Sequence, residues 1–108
     1  MFEALEVALQ FVEAVAPVVK IVAQHDKDLA RQLRRSATSA ANNTAEGNKR
    51  IGGDRLHAFR VASGEAAEAV ASLRMAVTWD YVPAASVAPA RALEDRLQAM
   101  LYRLRHPR

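Results

Sequence analysis

Residues 29–47 read LARQLRRSATSAANNTAEG, and the way apolar residues recur in them decides the fold. Leu29 and Leu33 open a row at helical spacing that then narrows to Ala37, Ala40, Ala41, Thr44 and Ala45. Such small side chains let a neighbouring helix come close. The spacing predicts a helix from about Asp28 to Glu46, ended by Gly47 in the usual C-terminal stop position. Asn42 and Asn43, set among small residues, are expected to make specific hydrogen bonds rather than only to face water.

The same periodicity continues on both sides of this stretch. From Phe2 to about Gln24, Leu5, Leu9, Val12, Val15, Val19 and Val22 form the expected core stripe of a first helix. A second set, Val7, Phe11, Ala14, Val18 and Ile21, covers much of the remaining circumference. One bundle core would therefore leave apolar surface uncovered, and association with other copies is expected. Glu3, Glu6, Glu13 and Lys20 interrupt the run too often for a membrane span. Pro17 predicts a kink rather than a break, because the pattern resumes at once.

Beyond Gly47, residues 47–53 read as a basic, glycine-rich loop, with Asp54 placed to cap a third helix reaching about Trp79. Leu56, Phe59, Ser63, Ala66, Val70, Leu73 and Val77 give its seam, and Gly64 within it suggests close helix contact. The segment 81–89 breaks the pattern. A fourth helix, starting between Ala84 and Pro89, then carries Leu93, Leu97, Met100, Leu101 and Leu104 on one face, and the tail from His106 should fray. Four helices, short connections and no strand pattern predict a single all-α domain over residues 1–108, an antiparallel up-down-up-down four-helix bundle.

The 108 residues suit one core, and the absence of cysteine removes disulfides, thiolate metal sites and cysteine nucleophiles. With acid rather than base near the N-terminus, no export signal is read, and a cytoplasmic protein is expected. The net charge is +3, distributed as −2 over residues 1–24, +3 over 25–55, −1 over 56–80 and +3 over 81–108. That distribution fits one surface meeting an anionic partner and another packing against protein.

Little in the chain suggests catalysis. Glu3/Glu6 and Glu65/Glu68 lack the Glu-x-x-His partners of a di-iron bundle, and His25, His57 and His106 have no ligand spacing among them. The run from Gly47 to Asp54 lacks the Lys-Ser/Thr pair of a phosphate loop. No nucleophile stands with a base and an orienting acid, and no cofactor fingerprint is present. Neither metal, cofactor nor enzymatic activity is expected.

The stretch Gln32–Gly47 also resembles the signature of the bacterial four-helix-bundle family named for proteins encoded in intervening sequences of 23S ribosomal RNA genes. Arg34, Arg35, Ser39, Asn43, Ala45, Glu46 and Gly47 match that signature in register, as does Arg50 just beyond. Phe2, Leu5 and Val7, then Phe59, Ala62, Gly64 and Glu68, then Tyr81 and Val82 extend the likeness over nearly the whole chain. Ala40 and Thr44 stand where isoleucines are usual, and Asn48-Lys49 replaces an aromatic or glycine pair. The resemblance implies a homo-oligomer, a pentameric ring, similar to the accessory proteins of diversity-generating retroelements that bind a reverse transcriptase and nucleic acid.

Two functional expectations follow. In one, the oligomer is a nucleic-acid-associated adaptor in which Arg31, Arg34, Arg35, Lys49, Arg50 and Arg55 contact phosphates of RNA or DNA. In the other it is a protein-binding scaffold, with Arg34 and Arg35 held in intersubunit ion pairs to Glu46, Glu65 or Glu68. Ser39, Asn43, Glu46 and Gly47 are expected to serve structure.

Overall fold

The computed structural model describes residues 2–107. Four helices account for most of them: α1 (Glu3–Val22), α2 (Lys27–Lys49), α3 (Gly52–Thr78) and α4 (Ala84–Arg105). Each packs on its neighbours in sequence and α1 closes on α4, so the α1/α2 side lies opposite the α3/α4 side. The bundle measures 43 × 22 × 21 Å.

On α1 the buried row is Ala4, Val7, Ala8, Phe11, Val15, Val18 and Val22. Of the expected stripe only Val15 and Val22 belong to it. Leu5, Val12 and Val19 are half-buried, and Leu9 remains 43% exposed. The expected stripe is the bulkier one, whereas the interior faces the alanines of α2 and α3, where there is room for a few large side chains among small ones. Phe11, Phe59, Leu33, Leu73, Leu97 and Leu101 are those large side chains. Burial of each contributes roughly 1.5–3 kcal/mol. α1 runs unbroken through the exposed Pro17.

α2 starts at Lys27, one residue before the expected start, and Asp26 caps it: its Oδ1 accepts from the Leu29 N–H at 2.9 Å. The other carboxylate oxygen accepts from the Tyr81 hydroxyl at 3.3 Å, which ties the α3–α4 connection to the start of α2. Burial first, and then the Asp26 charge, push the Tyr81 phenol up from its ordinary value. Asn43 is hydrogen-bonded as expected, while Asn42 is exposed.

The largest departure from expectation lies between α2 and α3. Gly47 does not stop α2, which continues to Lys49. Gly47 is buried, and a Cβ there would lie 2.5 Å from Cδ1 and 2.8 Å from Cζ of the fully buried Phe59 ring. Glycine is needed for close approach rather than for termination. Only Arg50 and Ile51 separate the helices, so the expected basic loop is absorbed into helix ends. The reversal uses Gly52 at φ +58°, in the left-handed region that favours glycine. Ile51 occupies the cap position, and Asp54 sits in the first turn of α3 instead of capping it.

α3 buries a row richer in alanine than the expected seam: Ala58, Phe59, Ala62, Ala66, Ala69, Ser72, Leu73 and Ala76. Leu56, Ser63, Val70 and Val77 flank it half-buried. Gly64 is exposed with nothing near its Cβ position, so it makes no close helix contact within the chain. α4 starts at Ala84 and buries Val87, Ala90, Leu97 and Leu101. It ends at Arg105, where the His106 ring stacks on Tyr102; Arg108 lies outside the described residues.

Candidate functional site

The helical repeat brings much of the α2 stretch onto its solvent side. Arg31, Arg34, Arg35, Thr38, Ser39, Asn42 and Asn43 line an open depression of about 510 Å³ along this helix, with no carboxylate in its lining. Neighbouring acids nevertheless claim some of its cations.

Arg35 bridges α2 to α3, with Nη1 3.2 Å from Glu65 Oε2 and Nη2 3.3 Å from Glu68 Oε1. Nearby on α2, Asn43 Nδ2 donates to Ser39 O at 2.9 Å and Oγ at 3.1 Å. The Glu65 carboxyl is held below its ordinary value, chiefly by a hydrogen bond from Glu68 and further by Ser39 and Arg35, against the effect of burial. The same bond, with the Glu65 charge, pushes Glu68 up. Arg35 thus has acid partners within its own chain.

The other predicted residues divide in the same way. Arg55 donates from Nη1 to Gly47 O at 3.0 Å, satisfying a carbonyl at the end of α2, and lies 4.8 Å over the Phe59 ring. Arg31 pairs with Asp28 at 2.8 Å and Arg50 with Glu46 at 3.2 Å. Both pairs are exposed, and such pairs contribute only about 0–1 kcal/mol, so these cations remain exchangeable. Among the described residues Arg34 and Lys49 have no ion-pair partner. Ser39 and Asn43 are joined by a hydrogen bond and Gly47 packs on Phe59, while Glu46 pairs with Arg50.

Arg34 also lines a second depression. Between α1 and α2, Val12, Val15, Ala16, Val19, Ala37 and Thr38 surround about 360 Å³ of mainly apolar groove, with Lys20 and Arg34 its charged residues. On the opposite side, Arg74 of α3 and Arg91 of α4 share a depression of about 240 Å³ that no acid lines. Sequence reasoning missed these two arginines, although the +3 charge over residues 81–108 was a partial signal. Among the described residues no helix is long and apolar enough to cross a membrane.

The sequence matches the 23S rRNA-intervening sequence protein family over residues 2–103. The fold is similar to that of a protein of unknown function from the S23 ribosomal protein family of Bacteroides thetaiotaomicron. That match has a TM-score of 0.86 and 18% identity, and covers 95% of this chain and 98% of the other. No curated protein matches the sequence.

Proposed function

The chain is a member of the 23S rRNA-intervening sequence protein family, and from that premise we propose that it works as a non-enzymatic adaptor that associates with nucleic acid. The reading rests on the solvent side of α2, a polar depression of about 510 Å³ whose lining offers guanidinium, hydroxyl and amide groups but no carboxylate. Arg31, Arg34 and Lys49 are the cations best placed to meet phosphates, with Arg50 recruited by exchange from Glu46. Arg35 and Arg55 are held more firmly within the chain, Arg35 by two acids of α3 and Arg55 by the Gly47 carbonyl, and come after these. Contacts of this kind fix position without reading bases, so little sequence preference is expected.

A second reading, a protein-binding scaffold without nucleic acid, is favoured by the apolar α1/α2 groove. Titration of the native protein against labelled RNA and DNA at increasing salt separates the two. Affinity should fall steeply with salt, since each neutralised phosphate releases condensed counterions. Arg31→Ala with Lys49→Ala should flatten that dependence by about one counterion for each phosphate no longer neutralised. Absence of binding to either polymer at about 50 mM salt would leave the scaffold.

A further inference from the structure

We propose that the depression between α3 and α4 is a binding site for a phosphate monoester, held by Arg74 and Arg91. The site lies apart from the α2 surface, so its failure would leave the nucleic-acid reading untouched.

The two arginines are left without acids for different reasons. Around Arg74, the residues three and four places away along α3 are Val70, Ala71, Val77 and Thr78. None is acidic, so the helix offers this arginine no ion pair. Arg91 does have Glu94 and Asp95 at those spacings, but they follow it along α4, the less favourable order, and it pairs with neither. Side chains on a helix lean toward its N-terminus, which carries Arg91 back toward Val87 and away from those acids. Glu94 accepts instead from Gln98 Nε2, at 2.8 Å.

Both guanidiniums therefore line the same depression of about 240 Å³, with Val77, Thr78, Ala84 and Val87 and without a carboxylate. Among the described residues neither has an ion-pair partner. Arginine stays charged at any ordinary pH, so the two repel across a space that the lining does not neutralise. An anion between them removes that repulsion. The planar fork of a guanidinium fits two oxygens of one phosphate, and two forks fit the three free oxygens and near-double charge of a monoester better than the single charge of a diester. Val87 is buried and Val77 half-buried, which gives the depression apolar walls. Its volume is several times the ~30 Å³ of a water molecule, so room remains for part of the body that carries the phosphate. A small free ester and the terminal phosphate of a nucleic acid offer this same chemistry.

Equilibrium dialysis of the full chain against radiolabelled AMP tests the proposal. Binding should saturate, methyl phosphate should compete, dimethyl phosphate should compete several-fold less well, and adenosine should not compete. Arg74→Gln and Arg91→Gln should each weaken binding by about tenfold or more, the scale of a lost charge-assisted hydrogen bond. Arg60→Gln, which removes the same charge from another exposed position of α3, should leave it unchanged. Should either glutamine variant fail to fold, the competition series on the native chain still decides. A short oligonucleotide with and without a terminal phosphate identifies the source: competition only by the phosphorylated one assigns the site to a nucleic-acid end, and competition by neither assigns it to a small ester. Equal competition by both, or by methyl and dimethyl phosphate, would mean that diesters are bound and would overturn the proposal. So would AMP binding that does not saturate, or that survives in the folded Arg74→Gln and Arg91→Gln variants.

Discussion

The contact between α2 and α3 and the outer side of α1 and α2 use the same helix in opposite ways. Facing α3, the polar and small residues of α2 have partners within the chain: Arg35 holds Glu65, Asn43 holds Ser39, and Gly47 admits Phe59. Facing away from α3, Arg34 has no ion-pair partner among the described residues, and the adjoining apolar row of α1 is half uncovered. The difference separates residues that maintain the bundle from those left over for something outside it. Two glycines repeat the contrast: Gly47 is enclosed by a phenyl ring, while Gly64 has open space around it.

The strongest way to break this comparison is Gly47→Ala. Replacing a helical glycine by alanine ordinarily gains about 1 kcal/mol or less, but the added methyl here, in the last turn of α2, would press on a ring with no exposed surface to move into. A net loss of about 1–3 kcal/mol in urea unfolding is expected, and a gain would show that Phe59 yields easily. Asn43→Leu comes next, with a loss of about 1–2 kcal/mol as Ser39 loses its donor. An unchanged midpoint, with nucleic-acid binding lost, would move Asn43 from structure to ligand.

Gly64→Ala should have the opposite sign, a gain of about 1 kcal/mol or less, because nothing opposes the better helix former. A loss would mean that Gly64 is covered by another molecule in solution. The smallest effect concerns Glu65 and Glu68. The lowered Glu65 contributes stability above the ordinary carboxylate value that is lost as pH falls through its folded value. The raised Glu68 contributes in the opposite sense, below its folded value, and the two offset each other. Glu68→Gln should remove the offset, so thermal stability should decline more steeply than in the native chain as pH falls from about 5 to below 4. Equal slopes would show that the carboxylates are not linked.

Helix number, order and chain direction were legible because turn signals fall between long periodic segments, and the narrowing of α2 to alanine foretold its close packing. Which row of α1 turns inward was not legible. Both rows are apolar at the same period, and only the space left by the alanines of α2 and α3 selects the one with Phe11. The role of Gly47 was hidden for a related reason: a glycine after a helical run signals a stop, and its true partner, Phe59, is known only once α3 folds back. Charge counting located the cations of α2 but not their engagement, since the acids that hold Arg35 lie thirty or more residues away. Those that hold Arg31 and Arg50 are local, at i−3 and i−4.

The two-residue connection of Arg50 and Ile51 also has a bearing on the order of events in folding. It joins the pair of helices with the most extensive mutual contact, so their docking closes the smallest loop in the molecule and gives up the least chain entropy. A helical hairpin of this kind is the cheapest long-range structure to form first, with α1 and α4 condensing on it afterwards. Substitutions at Ala62 or Ala66 should then slow refolding in stopped-flow measurements, whereas comparable ones at Leu97 or Leu101 should act mainly by speeding unfolding.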